Sequence, residues 1–251
     1  MKKHDNWLDM LPYLQEVLKS MKKLTWREFE NNLKRIARNN ITSANGYLYS
    51  KHDRRFHKID EVTGKVMKDE NGKFIFDENA YVKTCRYKLI GDIFEVFVAY
   101  MLTYHKTLEF GMLEEDYTFV GDSDADEGVD AYGKLGANDN SIGVVQCKFR
   151  SNPNTDYIRN PPPFDKNVWF SLKGQAQEDY GFDNGCNQLL IFVTNIPREK
   201  SMTVRFKERI GYVSKGGRPV CKNGIILGFE DIQKAVDGQN KFWERLKEEV
   251  F

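Results

Sequence analysis

Three polar residues on two short apolar segments have types and spacing that suit hydrolytic chemistry. Asp130 lies in the apolar stretch 128–132, and Gln146 and Lys148 lie in a second stretch, 142–149. Side chains two residues apart on a strand project to the same face, so Gln146 and Lys148 would lie together. If the two strands are neighbours, the pattern places a carboxylate, an amide and a lysine side by side.

Phosphodiester hydrolysis requires hard oxygen ligands for Mg²⁺ and a group that orients water or stabilises developing charge. Asp130 would be the main ligand, with the Gln146 amide and the backbone carbonyl of Cys147 as further ligands. Lys148 would supply a cation close to the attacking water and the phosphorane charge. We therefore expect a Mg²⁺ site, in which Mn²⁺ would substitute.

Apolar periodicity predicts the elements that hold these residues. A wide apolar stripe at helical spacing predicts a long helix from Arg86 to Leu102. Shorter patterns predict helices over 167–180 and 230–250 and strands over 117–120, 128–132, 142–149, 188–194 and 224–229. Strands and helices alternate, which favours an α/β fold with a mixed β-sheet core flanked by helices.

The acidic residue, the short spacer and the run Gln146-Cys147-Lys148 resemble the PD-(D/E)xK nucleases, specifically their Mrr-like restriction endonuclease branch. The resemblance covers roughly Arg86 to the C-terminus and implies a restriction-endonuclease-like fold. It also implies a glutamate on the helix before the sheet. Glu95 matches that position and would complete the metal site, directly or through water.

Two departures from the family pattern stand at the motif itself. Val129 replaces the proline before the first acid, and Gln146 replaces the second carboxylate; the Mrr-like branch tolerates both. Gln146 lowers the negative charge of the site by one, so a second Mg²⁺ would bind weakly or only with DNA present. The number of metal ions therefore stays open.

Residues 1–80 form an expected N-terminal accessory region, and residues 81–251 the expected nuclease domain. Helical patterns run from Trp7 to Lys22 and onward from Thr25. Turn signals at 63–64 and 71–72 then predict one or two β-hairpins before Phe76. In this interpretation the core cleaves and the accessory region selects the DNA.

Several residues are candidate DNA contacts, although an ordinary solvated side chain explains each of them equally well. Basic residues near the expected site or in the accessory region would track phosphates. A glutamine on the helix after the second strand occupies a position where some relatives carry a site residue. These candidates are Arg150, Lys173, Gln175, Arg54, Arg55 and Lys58.

Whole-chain composition sets wider limits. The 251 residues carry a formal net charge of +1, so any nucleic-acid surface must come from local clustering. The chain lacks an apolar stretch that would span a bilayer and a signal-peptide core, and we expect a cytoplasmic protein without membrane contact. The cysteines lack the paired spacing of a zinc site, which predicts reduced thiols.

The leading functional hypothesis is a restriction-type endonuclease acting on duplex DNA as a homodimer or higher oligomer. A structure-selective nuclease such as a Holliday-junction resolvase is the second enzyme hypothesis, and preference for branched DNA would favour it. A third hypothesis is a DNA-binding module that retains the fold without activity. The recognition sequence, any base modification and the cut pattern are not readable from the chain.

Overall fold

The computed structural model describes residues 5–40, 53–104, 118–119, 129–134, 142–150, 161–180, 189–215, 218–220 and 224–251. Its helices are α1 Asp5–Ser20, α2 Trp26–Asn40, α3 Glu78–Tyr104, α4 Lys166–Tyr180, α5 Val204–Ile210, α6 Phe229–Val236 and α7 Asn240–Val250. Its strands are β1 Thr118–Phe119, β2 Ala131–Lys134, β3 Ile142–Lys148, β4 Leu189–Thr194, β5 Val213–Lys215, β6 Arg218–Val220 and β7 Ile225–Leu227.

A five-stranded mixed sheet organises the fold, in the order β1-β2-β3-β4-β7. The first three strands pair antiparallel, whereas β3, β4 and β7 run parallel. The predicted mixed α/β class with flanking helices is confirmed. The register pairs Ala131 with Val145, which sets Asp130 opposite Gln146 at the end of the β2–β3 ladder.

Two apolar clusters cover the two faces of this sheet. Val145 and Cys147 join the cluster that contains α1, α2, α3, α6 and α7. Val144 faces the other way, into the cluster that contains α4 and α5. This alternation along β3 follows from the period of two in a strand, and a strand buried on both faces is typical of a parallel sheet.

The helices of the expected accessory region contribute directly to the first cluster. Trp26 and Phe29 on α2 are fully buried. The Phe29 ring lies 4.3 Å from that of Phe97 on α3 and 6.0 Å from that of Trp243 on α7. In addition, α3 begins at Glu78 and crosses the predicted boundary near residue 80. The N-terminal helices therefore share one core with the C-terminal helices.

Residues 57–76, which precede α3, form an irregular antiparallel meander that we call the hairpin segment. Isolated bridges connect its three passes at His57–Phe76, Ile59–Val66 and Lys68–Phe74. Both turns lie where the sequence predicted them, with Gly64 and Gly72 in the left-handed region at φ 65° and 77°. Glycine suits these positions because it lacks the Cβ that disfavours positive φ.

Some element boundaries differ from the predictions. α3 starts at Glu78 rather than Arg86, and the expected closing helix is divided into α6 and α7 at Gly238, whose φ is 73°. The strand predicted over 224–229 is shorter, since Phe229 already begins α6. Helix α5 and the β5–β6 hairpin were not predicted, because they are short. Residues 117, 120, 128, 188 and most of the proline-containing loop lie outside the described part of the chain.

Two further sequence predictions concern thiols and membranes. Cys85 and Cys147 are buried free thiols, whereas Cys186 and Cys221 lie outside the described ranges. Within the described residues, none of the helices combines the length and the apolar character needed to cross a bilayer.

Candidate active site

The end of the β2–β3 ladder brings the predicted carboxylate and amide together. Asp130 immediately precedes β2, and its backbone N–H donates to the carbonyl of Val145 over 2.8 Å. The Nε2 of Gln146 donates to the Oδ2 of Asp130 over 2.8 Å, and the backbone N–H of Cys147 donates to the same oxygen. Two donors from consecutive residues of β3 therefore fix the direction of the Asp130 carboxylate.

Glu95 reaches the same site from α3. Its neighbours Phe94 and Val96 are buried in the helical cluster, which holds the helix against the sheet. Loss of solvation raises the pKa of Glu95 well above its usual value, and the negative charge of Asp130 raises it further. The negative charges of the two carboxylates thus repel each other.

Asp92, the other acid on this stretch of α3, has a different environment. It forms an ion pair with Lys88 one turn earlier, at 3.5 Å. Its charge also contributes to the raised pKa of Glu95, although less than that of Asp130. Asp92 therefore has a basic partner on its own helix, whereas among the acids Asp130 acts most strongly on Glu95.

Lys148 ends β3, two residues beyond Gln146, and is partly buried. Its positive charge opposes the rise in the pKa of both Glu95 and the Cys147 thiol. The lysine therefore acts electrostatically on the carboxylate pair. The structure thus brings Glu95, Asp130, Gln146 and Lys148 to one edge of the sheet.

The Cys147 side chain itself is part of the core. Burial raises the pKa of its thiol well above the usual value, and the charges of Asp130 and Glu95 add to this effect. The sequence predicted that the backbone carbonyl of Cys147, not its thiol, is a ligand of Mg²⁺. A strand residue points its C=O to the same side as its N–H, and that N–H contacts Asp130.

Two buried polar residues at the end of β4 fasten the end of β3, and the sequence interpretation missed both. The Thr194 hydroxyl donates to the carbonyl of Lys148 over 2.7 Å. Asn195 accepts from the backbone N–H of Arg150 over 2.7 Å and donates to the carbonyl of Arg150 over 2.8 Å. It also donates to Glu30 of α2 over 2.9 Å.

A readable signal for Thr194 and Asn195 did exist. Polar residues at the carboxyl ends of buried parallel strands commonly line functional crevices. Thr194 and Asn195 follow the apolar run 189–193, and both are fully buried. Their hydrogen-bond partners, in contrast, had no local signal.

The remaining candidate DNA contacts lie in two other places. On α4, Lys173 packs over the ring of Trp169 at 5.1 Å, and Gln175 is partly buried. In the N-terminal half, Arg54 and Lys58 are exposed, whereas Arg55 forms an ion pair with Asp53 at 2.6 Å. A role for any of these five residues in DNA binding stays a prediction.

The donors at this edge suit a hard cation. Carboxylates from Glu95 and Asp130, the Gln146 amide and the Cys147 carbonyl are all oxygen ligands of the kind that Mg²⁺ prefers. Within the described ranges, three or more His, Cys, Asp or Glu side chains do not gather at any one point. A Mg²⁺ ion at this edge would therefore depend on the amide and the main-chain carbonyl as well as on the two acids.

Comparisons of the chain with models of protein families, with the sequences of curated proteins and with solved structures found no match.

Proposed function

We propose that this chain is a Mg²⁺-dependent endonuclease that hydrolyses phosphodiester bonds in duplex DNA, of the restriction type and with a restriction-endonuclease-like core. The observation that carries the proposal is the pairing of Glu95 with Asp130 beside Gln146 and Lys148. Two neighbouring carboxylates in a poorly solvated place are costly unless a cation or a proton compensates them. A site for a divalent cation explains their proximity.

The residues divide the chemistry among them. Glu95, Asp130, Gln146 and the Cys147 carbonyl would hold Mg²⁺, which when bound supplies Lewis acidity toward a phosphate oxygen. Lys148 would orient the attacking water and stabilise the charge that develops on the phosphoryl oxygens. The water oxygen forms the new bond to phosphorus, the bond to a sugar oxygen breaks, and a proton from the water passes to that leaving oxygen.

The surroundings of the site support this division of roles. Hydrogen bonds from Gln146 and Cys147 hold the Asp130 carboxylate in one direction, and Thr194 holds the carbonyl of Lys148. Ligands and cations fixed before the substrate arrives stabilise a transition state better than mobile ones. The remaining parts of the proposal are DNA as the partner, assembly as a homodimer, and DNA selection by residues 1–80.

The decisive experiment measures cleavage of modified plasmid, unmodified plasmid and branched DNA, with Mg²⁺ or with EDTA. Wild type is compared with Asp130→Asn and Lys148→Ala, which remove a ligand and the cation. We expect each substitution to lower the Mg²⁺-dependent rate by about 100-fold or more. Lys241→Ala and Glu244→Gln, which change exposed residues of α7, are matched controls and should cut at the wild-type rate.

Each outcome assigns a function. Faster cutting of branched than linear DNA would replace the restriction-type proposal with a structure-selective nuclease. DNA binding by a folded chain that does not cut any of the substrates would leave a binding module. Cutting that survives both Asp130→Asn and Lys148→Ala would show that the activity arises elsewhere.

A further inference from the structure

The backbone of Arg150 is held more firmly than that of an ordinary residue after a strand. Asn195 binds both its N–H and its C=O, at 2.7 and 2.8 Å. Asn195 is itself fully buried and anchored to Glu30, whose carboxylate also pairs with Lys34 at 2.9 Å. Asn195, just after β4, and Glu30 and Lys34 on α2 therefore fix the position from which the Arg150 side chain extends.

The guanidinium of Arg150, by contrast, has few partners. The side chain is partly buried, and among the described residues its buried Nε has no hydrogen-bond acceptor. Within the same residues, its hydrogen bond runs from Nη2 to the carbonyl of Pro161, at a long 3.4 Å. Among the described residues no carboxylate forms an ion pair with it, and burial alone lowers its pKa.

A fixed, partly desolvated arginine that has no counter-ion among the described residues calls for an anionic ligand. Leaving such a donor unpaired costs free energy that an incoming anion recovers. The planar guanidinium fork matches a phosphate or carboxylate with two parallel hydrogen bonds, which a lysine cannot reproduce. The ligand is therefore an oxyanion that reaches this end of β3.

We propose that Arg150 binds a backbone phosphate of the DNA next to the phosphate that is cut. Arg150 lies two residues beyond Lys148, so the two backbone positions are about 7 Å apart in extended chain. With Lys148 beside the phosphate that is cut, an arginine two residues further along would contact the next phosphodiester of the strand. This inference rests on the proposed nuclease function and adds to it the residue that seats the substrate.

The test measures binding without requiring cleavage. Fluorescence anisotropy follows a labelled duplex over a salt series, in EDTA and with Ca²⁺, for wild type, Arg150→Gln, Arg150→Lys and the control Lys241→Ala. We expect Arg150→Gln to weaken binding about tenfold and to reduce the slope of log K against log salt by about one phosphate contact. Arg150→Lys should keep the slope but lose affinity, because it retains the charge without the fork.

A second arm identifies the source of the oxyanion. The melting temperatures of wild type and Arg150→Gln are measured in inorganic phosphate and in chloride of equal ionic strength. Stabilisation of wild type alone by phosphate, together with unchanged DNA binding by Arg150→Gln, would assign the residue to a free anion and overturn the proposal.

Two further outcomes would also overturn it. These are equal affinity and slope for Arg150→Gln and Lys241→Ala, and absence of duplex binding by wild type in both buffers. Circular dichroism of each variant confirms folding. A nuclease whose Arg150 plays no part would still lose Mg²⁺-dependent cleavage on Asp130→Asn, so the two proposals fail separately.

Discussion

Folded proteins usually bury apolar side chains and expose polar ones. The candidate site departs from this rule by burying polar groups, and the hairpin segment departs from it by exposing apolar groups. At the site, charged and polar groups lose contact with water: Gln146 is 2% exposed, and Glu95 is partly buried, so that loss of solvation raises its pKa. In the hairpin segment, large apolar groups face outward, with Ile59 61% and Phe74 51% exposed. Folding free energy favours neither arrangement, so each needs a separate physical reason.

The site is stabilised by its surroundings, because the fold supplies donors for the groups it buries. Asp130 receives two N–H groups from β3, and Arg150 is fastened by Asn195. The repulsion between Glu95 and Asp130 remains, because the nearby lysines offset it only in part and the pKa of Glu95 stays raised. Such residual cost is typical of functional sites, where perturbed carboxylates gather.

The hairpin segment is ordered by its turns instead. The Asp60 carboxylate accepts from the backbone of Val62 and Thr63 and from the Thr63 hydroxyl, and these hydrogen bonds lower its pKa. Asp69 accepts similarly from the backbone of Asn71 and Lys73. Local hydrogen bonds of this kind define a chain path without burying apolar surface.

The largest expected difference compares two phenylalanines. Phe29→Ala should lower the free energy of unfolding by about 3–5 kcal/mol, because it leaves a cavity among the rings of α2, α3 and α7. Phe74→Ala removes a half-exposed ring that stacks on His57 at 4.5 Å, and should cost about 1 kcal/mol or less. Urea denaturation measures both; equal losses would place the hairpin segment in the same cooperative core.

At the candidate site, we expect the substitution Glu95→Gln to stabilise the chain, by less than the Phe29→Ala substitution destabilises it. Above the ordinary pKa of a glutamate and up to the raised pKa of Glu95, the folded chain keeps a proton that the unfolded chain has lost. Stability therefore falls as pH rises through that window. Glu95→Gln removes this loss, so its melting temperature should exceed that of wild type at neutral pH and converge with it near about pH 4.

Wild type and Glu95→Gln also test whether Mg²⁺ binds at the site. If Mg²⁺ binds the folded chain at the proposed site, it should raise the melting temperature of wild type and raise that of Glu95→Gln less. Glu244→Gln, on an exposed position of α7, is the control and should match wild type in both series. A Glu95→Gln chain that is less stable than wild type at neutral pH would contradict the prediction that the Glu95 carboxylate lowers the stability of the fold.

The smallest expected effects come from two glycines. Gly72 adopts φ 77° and a Cβ there would meet open space, so Gly72→Ala should cost about 1 kcal/mol through backbone strain alone. Gly174 lies inside α4, also with open space around a Cβ. Gly174→Ala should therefore stabilise the chain by about 0.5–1 kcal/mol through helix propensity. Thermal melts of both variants check the opposite signs.

Prediction from sequence succeeded where the signal is local. The strand predicted over 142–149 appears as β3, with the expected alternation of its buried side chains. The register then shows that β2 is the neighbour that sets Asp130 opposite Gln146, which the sequence had left conditional. The early start of α3 also had a local signal, since Asp77 accepts from the N–H of Ala80 as an N-terminal cap. Tyr81 in that first turn packs against Phe56 at 5.0 Å, a contact that periodicity does not reveal.

Other features of the site depend on residues far apart in the chain. Asn195 binds Arg150 across 45 positions and Glu30 across 165. The family resemblance pointed to Glu95, yet its repulsion by Asp130 became visible only once α3 was packed on the sheet. Likewise, nothing in the composition of α2 required it to share a core with α7.

The sequence by itself determined which chemical groups are present, where the strands alternate and where the chain turns, because these properties depend on neighbours within a few residues. The tertiary structure decided which groups meet and how well water solvates them. It brought Glu95 within the electrostatic influence of Asp130 and left Arg150 without a counter-ion among the described residues. Solvation and charge interactions sum over all surrounding atoms, and those atoms come from distant parts of the chain.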